Sequence, residues 1–304
     1  MKKIAISIGD LHGIGIELAL QNHHTIKGFV EPLYCIDTPM LQQASKLLDI
    51  AIPNDFQTIA PNGELFDIQP ATISALSGAY SYASFTKAVE LARVKNVDAI
   101  VTLPIHKKAW ELAGISYKGH TDALRDFFGM EAIMMLGCKE MFVALYTEHI
   151  PLKEVAQSIN QTDLTRFLVD FYNAIQPSQK VAVLGLNPHA GDDGVLGDEE
   201  KIITQAITQA NQIVGKSIFG EPLVPDVAFT PYTRANYTHY IAMYHDQGLA
   251  PLKALYFDEG INISLNLPIL RTSVDHGTAF DRAYKHASLN SLSYQNAIKY
   301  CIEN

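Results

Sequence analysis

Cysteine is scarce: Cys35, Cys138 and Cys301 are the only three in 304 residues. They are odd in number, far apart, and in no CxxC pair, which excludes a disulfide framework or a structural zinc knuckle and suits reduced thiols in a cytoplasmic protein. Basic charge is in deficit, with 23 Lys and Arg against 32 Asp and Glu. A net charge of −9 argues against a broad nucleic-acid footprint while leaving room for local cationic spots. Long apolar runs are missing. The opening MKKIAISIGDLHGIG is interrupted by Gly9 and Asp10, too early for a secretory core or a membrane span, and reads as a first β-strand. There is no internal repeat, no low-complexity segment and no Pro/Gly/Ser linker. There is no Walker A pattern, and GDLHGIGIE (9–17) lacks the GxGxxG spacing, so the usual Rossmann mode of dinucleotide binding is not expected.

What is present is ordinary globular material, 48% hydrophobic and 18% charged. Strand-like runs lie at 4–9, 98–104, 132–137, 141–147, 180–187, 240–244 and 261–268. Between them lie helix-like runs at 14–21, 82–96, 106–114, 162–175, 198–214 and 292–302. In 162–175 the positions Leu164, Phe167, Leu168, Phe171 and Ile175 keep helical spacing, with Gln161-Thr162-Asp163 as the expected cap. The segment 61–81 reads as a loop. Alternating strands and helices predict an α/β fold with a mostly parallel sheet and helices on both faces.

Three histidines follow strands: His149 in TEHIPL, His189 in NPHAGDDG and His245 in MYHDQG. The C-terminal ends of parallel strands share one rim, where three imidazoles suit one Zn²⁺ or a similar ion with a position left open. Taken singly, each reads first as a hydrogen-bonded loop residue, and it is their shared position after a strand that supports the metal reading. Lys253, Asn262 and Arg271 supply an ammonium, an amide and a guanidinium, suitable for a phosphate or carboxylate, or else are three unrelated polar residues. GHTDAL (119–124) offers His120 and Thr121 as donors, with Asp122 as a cap for a helix beginning near residue 122. Lys107 opens a helix-like run, where the dipole disfavours a cation, and this points to a ligand-facing role. Trp110, Met134 and Met135 read as core.

Taken together, SIGDLHGIGIEL, TLPIHKKA, GHTDAL, HIPLKEV, GLNPHAGDDGVLGDEE, AMYHDQGLAPLK and NISLNLPILRTSVDHGTAFD resemble the 4-hydroxythreonine-4-phosphate dehydrogenase family of pyridoxal phosphate biosynthesis. The resemblance runs from residue 7 to about 283. Leu11, His12 and Ile16 stand where the family pattern has Pro, Ala and Pro, and His106 replaces an Asn. The resemblance implies an isocitrate/isopropylmalate dehydrogenase-like fold. It implies one chain unit, 1–304, of two interleaved α/β subdomains with the active site in the cleft between them. It implies a homodimer with a shared active site and no nucleic-acid or membrane partner. His149, His189 and His245 match the family's metal ligands, with Zn²⁺ or alternatively Mg²⁺ or Co²⁺. His120, Thr121, Lys253, Asn262 and Arg271 match its contacts to a small phosphorylated substrate. His276, Gly277 and Thr278 look like the cofactor loop for NAD or NADP. The implied reaction oxidises 4-hydroxythreonine 4-phosphate to a β-keto acid that loses CO₂. Asp246 is the candidate proton acceptor, and Lys253 is placed with it in the catalytic corner. Alternatives are a sister dehydrogenase of threonate 4-phosphate, a metal-dependent hydrolase and a silent binding protein.

Overall fold

The computed structural model describes all 304 residues, and the chain divides into two compact units. The first comprises Met1–Met130, Ile261–Ile263 and Leu267–Asn304, and the second comprises Glu131–Gly260 and Ser264–Asn266.

The first unit contains β1 (Lys3–Ser7), α1 (Gly15–Lys27), β2 (Glu31–Cys35), α2 (Thr38–Leu48) and β3 (Thr58–Ile59). It continues through α3 (Ala75–Arg93), β4 (Ala99–Thr102), α4 (Lys107–Leu112) and α5 (His120–Phe128). β1 lies between β2 and β4, parallel to both, and β3 joins the far side of β2. Ile4, Ala5, Ile6 and Ser7 are fully buried, as expected of a strand covered on both faces, and this is why 4–9 is a continuous apolar run. In α3, a Cβ at Gly78 would sit 2.1 Å from the Ala109 carbonyl oxygen, so only glycine lets α3 and α4 approach so closely. Trp110 is core, as expected, and its indole donates to Ser81 Oγ at 2.8 Å.

The second unit contains β5 (Ile133–Cys138), β6 (Met141–Leu145), α6 (Leu152–Ser158), α7 (Gln161–Ile175) and β7 (Ala182–Val183). Then follow α8 (Glu199–Val214), α9 (Pro225–Ala228), α10 (Pro231–Arg234), β8 (His239–Ala242) and α11 (His245–Tyr256). β5 and β6 form an antiparallel pair, and β6, β8 and β7 run parallel in that order. α7 buries Leu164, Leu168 and Phe171, the last with its ring against His239 of β8, and packs on α8, which buries Ile203, Ala206, Ile207 and Ala210. Each fully buried large apolar side chain stabilises by about 1.5–3 kcal/mol relative to exposure. β9 (Ile261–Leu265) is divided between the units. β10 (Leu270–Val274) pairs parallel with β4, and α12 (Leu292–Glu303) packs on β10.

Some expectations are corrected. The cap of α7 is Asn160, whose side chain accepts from Asp163 N at 2.9 Å, and Gln161 already lies in the helix. Segment 61–81 is loop only in its first part: α3 begins at Ala75, capped by Ser74, whose Oγ accepts from Ser77 N. α5 begins at His120, and Asp122 reaches back from its first turn to accept from Lys118 N at 2.9 Å. No helix is long and apolar enough to cross a membrane.

Candidate active site

In the first unit the polar centre is Arg271, in the second position of β10 and only 2% exposed. Its Nε and Nη2 donate to Thr102 Oγ1 at 3.1 and 2.8 Å, and its Nη1 donates to Asn262 Oδ1 at 3.5 Å. Nη2 also lies 3.1 Å from His120 Nδ1. A guanidinium only donates, so Nδ1 of His120 accepts and its proton resides on Nε2. That Nε2 is buried and has no hydrogen-bond partner in the chain. The imidazole is enclosed by Phe85 and Trp110, with ring centroids at 4.8 and 5.5 Å. Burial holds its pKa well below the ordinary value and the neighbouring Arg271 charge adds to this, so His120 is neutral. Burial also lowers Arg271 to about 9. The result is a cation whose planar fork is fixed by neutral acceptors next to an unspent N–H donor, a suitable seat for an anionic group. Thr121 is buried beside His120 in the first turn of α5. Lys107 begins α4, and its Cε lies 3.9 Å from the Cβ position of Gly119, so its stem passes over the start of α5.

The loop His276–Thr278 lies against the turn that follows β1. Ile14 N donates to Thr278 O at 3.1 Å, and a Cβ on Gly13 would sit 2.8 Å from that oxygen. Gly277 faces open space, so a ligand can approach its backbone closely. His276 Nδ1 is 3.1 Å from Gly277 O. Beneath this turn Asp10 is fully buried and accepts from His12 N at 3.0 Å and Ser77 Oγ at 3.3 Å. Burial raises its carboxyl pKa, against the opposing pull of those hydrogen bonds and of His12 and His106.

In the second unit, β8 leads directly into α11, whose first residue is His245. The imidazoles of His149 and His245 face one another with centroids 5.5 Å apart. His245 Nδ1 is 2.7 Å from Asp246 Oδ1, and with Nδ1 donating to that carboxylate the ring's lone pair is on Nε2. Gln247 ties two strand ends together: Oε1 accepts from Met243 N at 2.7 Å and Nε2 donates to Gly185 O at 2.6 Å. Gly248 has no room for a side chain, since a Cβ would lie 2.4 Å from Val143 Cγ1. Lys253, two turns further along α11, has its Nζ 5.8 Å from the Phe257 ring centroid. His189 stands in the turn Pro188–Gly194 after β7, exposed and with φ of 52°.

A sequence profile described as pyridoxal phosphate biosynthetic protein PdxA matches residues 28–301. The chain belongs to the PdxA family. It is 59% identical to the 4-hydroxythreonine-4-phosphate dehydrogenase of Sulfurimonas denitrificans over 99% of this chain and 97% of that one. It is 51% identical to the protein of that name from Campylobacter fetus, over 100% of this chain and 98% of that one. Its fold matches the crystal structure of the Klebsiella pneumoniae 4-hydroxythreonine-4-phosphate dehydrogenase with a TM-score of 0.85, at 29% identity, covering 100% and 99% of the two chains. The α/β, isocitrate/isopropylmalate dehydrogenase-like fold expected from the sequence is therefore the one observed.

Within this PdxA family chain, Arg271, Asn262 and His120 are brought together, as are His149, His245 and Asp246. The three histidines expected to hold one metal are not gathered as a set: no group of three His, Cys, Asp or Glu side chains is assembled to hold an ion. Two contributors are not evident from the sequence. Thr102, which fixes Arg271, ends a run that reads only as strand, and its signal is a hydroxyl at the C-terminal end of β4. Asp10 is legible only as a break in the first apolar run, although a carboxylate after a parallel strand is itself a site signal.

Proposed function

We propose that the chain is a cytoplasmic enzyme oxidising 4-hydroxythreonine 4-phosphate, with NAD or NADP as hydride acceptor, to a β-keto acid that decarboxylates to 3-amino-2-oxopropyl phosphate. The observation that carries the assignment is similarity at 59% identity along nearly the whole of both chains to a protein of that name. The geometry supports it in each unit separately.

In the first unit Arg271 binds the anionic end of the substrate through the fork that Thr102 and Asn262 hold in plane. His120 donates from Nε2 and Thr121 adds a further contact, while Lys253, which belongs to the second unit, is the remaining proposed substrate contact. Such positioning carries a large share of the barrier reduction in a reaction of this kind. In the second unit His149 and His245 supply two positions for a divalent ion, Zn²⁺ or alternatively Mg²⁺ or Co²⁺. With His189 as the third ligand, the set is completed in a homodimer with a shared active site. Such an ion, held by these imidazoles, would supply Lewis acidity toward the substrate hydroxyl, and a nicotinamide cofactor would supply the hydride acceptor. Asp246 keeps His245 in the tautomer that leaves Nε2 unprotonated, and it takes up the hydroxyl proton. His276, Gly277 and Thr278 line the cofactor side, where Gly277 leaves its backbone open to close approach.

The test is nicotinamide reduction followed by absorbance, with 4-hydroxythreonine 4-phosphate, each nucleotide, and divalent metal or chelator. Metal-dependent reduction is expected. Turnover of threonate 4-phosphate alone would move the assignment to the sister dehydrogenase. No reduction with either substrate by metal-loaded protein would overturn the dehydrogenase reading.

A further inference from the structure

The turn that carries His189 is wound the wrong way for L-amino acids. His189, Ala190, Gly191, Asp192 and Asp193 have φ of 52°, 50°, 81°, 46° and 55°, five consecutive left-handed residues. Aspartate and histidine tolerate this conformation better than most residues, glycine takes it freely, and alanine does not favour it. A run of this kind persists only where its surroundings over-determine it. Besides the i→i+3 bonds within the turn, its ends are tied by Ala190 N to Asn187 O, Val195 N to Asp192 O and Leu196 N to Gly191 O, at 3.1, 3.1 and 3.0 Å.

A further restraint from outside the turn comes from a carboxylate in the first turn of α8. Glu200 Oε1 accepts from Leu186 N at 2.8 Å and Asn187 N at 2.7 Å, and Oε2 accepts from Asn187 Nδ2 at 2.9 Å. The same Oε2 lies 2.7 Å from where a Cβ of Gly191 would be. Glu200 thus holds the entry of the turn, two residues before His189, and bears on its middle, two residues after. Asn187 is fixed in addition by Glu199 Oε2 at 2.7 Å, and it fills the space that a side chain on Gly197 would need. The first turn of α8 favours negative charge, so the carboxylate is stable there.

We infer that Glu200 is a positioning residue for His189: it holds the left-handed turn in the one conformation that aims the imidazole as a metal ligand. The inference rests on the reading of His189 as a ligand. Removal of the carboxylate leaves two backbone N–H groups without their acceptor and the Asn187 amide with Glu199 alone, and the turn relaxes toward right-handed conformations that re-aim His189.

The experiment titrates chelator-treated, full-length protein with Co²⁺ and follows its visible absorption bands, in wild type, Glu200→Ala, Glu200→Gln, His189→Ala and Ile203→Ala. Ile203 is fully buried on α8 and supplies none of the hydrogen bonds by which Glu199 and Glu200 hold Leu186 and Asn187, so its truncation destabilises the same helix while leaving those bonds in place. Glu200→Ala is expected to weaken Co²⁺ binding at least tenfold and to alter the band pattern. Glu200→Gln, which keeps an acceptor for the two backbone N–H groups, is expected to lie between Ala and wild type. Ile203→Ala is expected to lower the unfolding midpoint and leave Co²⁺ affinity within about threefold of wild type. Wild-type affinity in Glu200→Ala alongside weakened His189→Ala overturns the inference while the metal reading stands. Equal weakening in Ile203→Ala and Glu200→Ala overturns it in favour of general destabilisation. Wild-type affinity in His189→Ala removes the metal reading and the inference with it. If Glu200→Ala does not fold, Glu200→Gln decides, and wild-type affinity there is the overturning result.

Discussion

Gly248→Ala sets two effects of opposite sign against each other. In a helix, replacing glycine by alanine ordinarily stabilises by about 1 kcal/mol. Here the new methyl would stand 2.4 Å from Val143 Cγ1 and 2.9 Å from Ala242 Cβ, on the two strands beneath the start of α11. Ordinary carbon contacts begin near 3.5 Å, so the helix must lift by about 1 Å or Val143 must leave its rotamer. Overpacking of a tight interior costs about 1–3 kcal/mol, which exceeds or cancels the propensity gain. The displaced segment begins with His245, so affinity for the proposed divalent ion is expected to fall as well. Val143→Ala alone is expected to destabilise by about 2 kcal/mol through two lost methyl groups and the cavity they leave. In the double variant that cavity accepts the methyl introduced at position 248, giving a favourable coupling of about 1 kcal/mol, limited because the Ala242 contact remains. Urea unfolding of the four proteins measures the cycle. A Gly248→Ala protein more stable than wild type, or single effects that simply add, would refute the packing argument.

Three further expectations are open to direct measurement. Arg271→Lys keeps the charge but loses the fork that engages Thr102, Asn262 and His120, so KM for phosphorylated substrate should rise at least tenfold with kcat less affected; an unaltered KM removes Arg271 from substrate binding. Burial holds His239 at about 4 and His120 well below its ordinary value of 6.5, so below about 6.5 the unfolded chain binds more protons and stability increases with pH between about 4 and 6.5, each histidine contributing ~1.4 kcal/mol per pH unit. Because Asp10, raised by burial, acts in the opposite sense, the His239 share is read as the flattening of the urea-midpoint profile in His239→Gln, and an unchanged slope refutes it. Asn160→Ala removes the side-chain cap of α7 and should cost about 1 kcal/mol in the same assay, with Asn160→Asp close to wild type; equal losses in both would show that the cap bond is not the cause.

The sheet and helices are legible where a single face or full burial imposes its period. The stripe Leu164, Leu168, Phe171 marks α7, and the continuous run through Ile4, Ala5 and Ile6 marks β1. β2 and β10 are hidden for a chemical reason. β2 begins with Glu31 and Pro32, and β10 carries Arg271 in its interior, so neither looks apolar. A charged residue inside a buried strand is the mark of a site, not of a strand end. The start of α3 is obscured because Ser77 is buried against Asp10, and Gly78 and Ser81 against α4, reasons that no helical periodicity reveals. The candidate site residues are legible as polar side chains at strand ends, yet their partners are not. Thr102 and Glu200 act through tertiary contacts 169 and 13 to 14 residues away, separations at which local pattern carries no information.

The order in which a ribosome delivers this chain matters to how it folds. The second unit is almost wholly contiguous, Glu131–Gly260, and can close soon after it emerges. The first unit must wait. Its strand β4, with Ala99, Ile100 and Val101 fully buried in the finished protein, receives its neighbour β10 only when residues 270–274 have been made. The Lys2 ammonium meets the Cys301 carbonyl across 299 positions. During synthesis β4 is therefore an open apolar edge, the kind of surface that pairs with other chains, and its protection is deferred until the whole second unit has been made. In this molecule the segment bearing the buried arginine is also the one that completes the sheet around β4, so a nascent chain gains the anion seat and loses its aggregation-prone edge in one event.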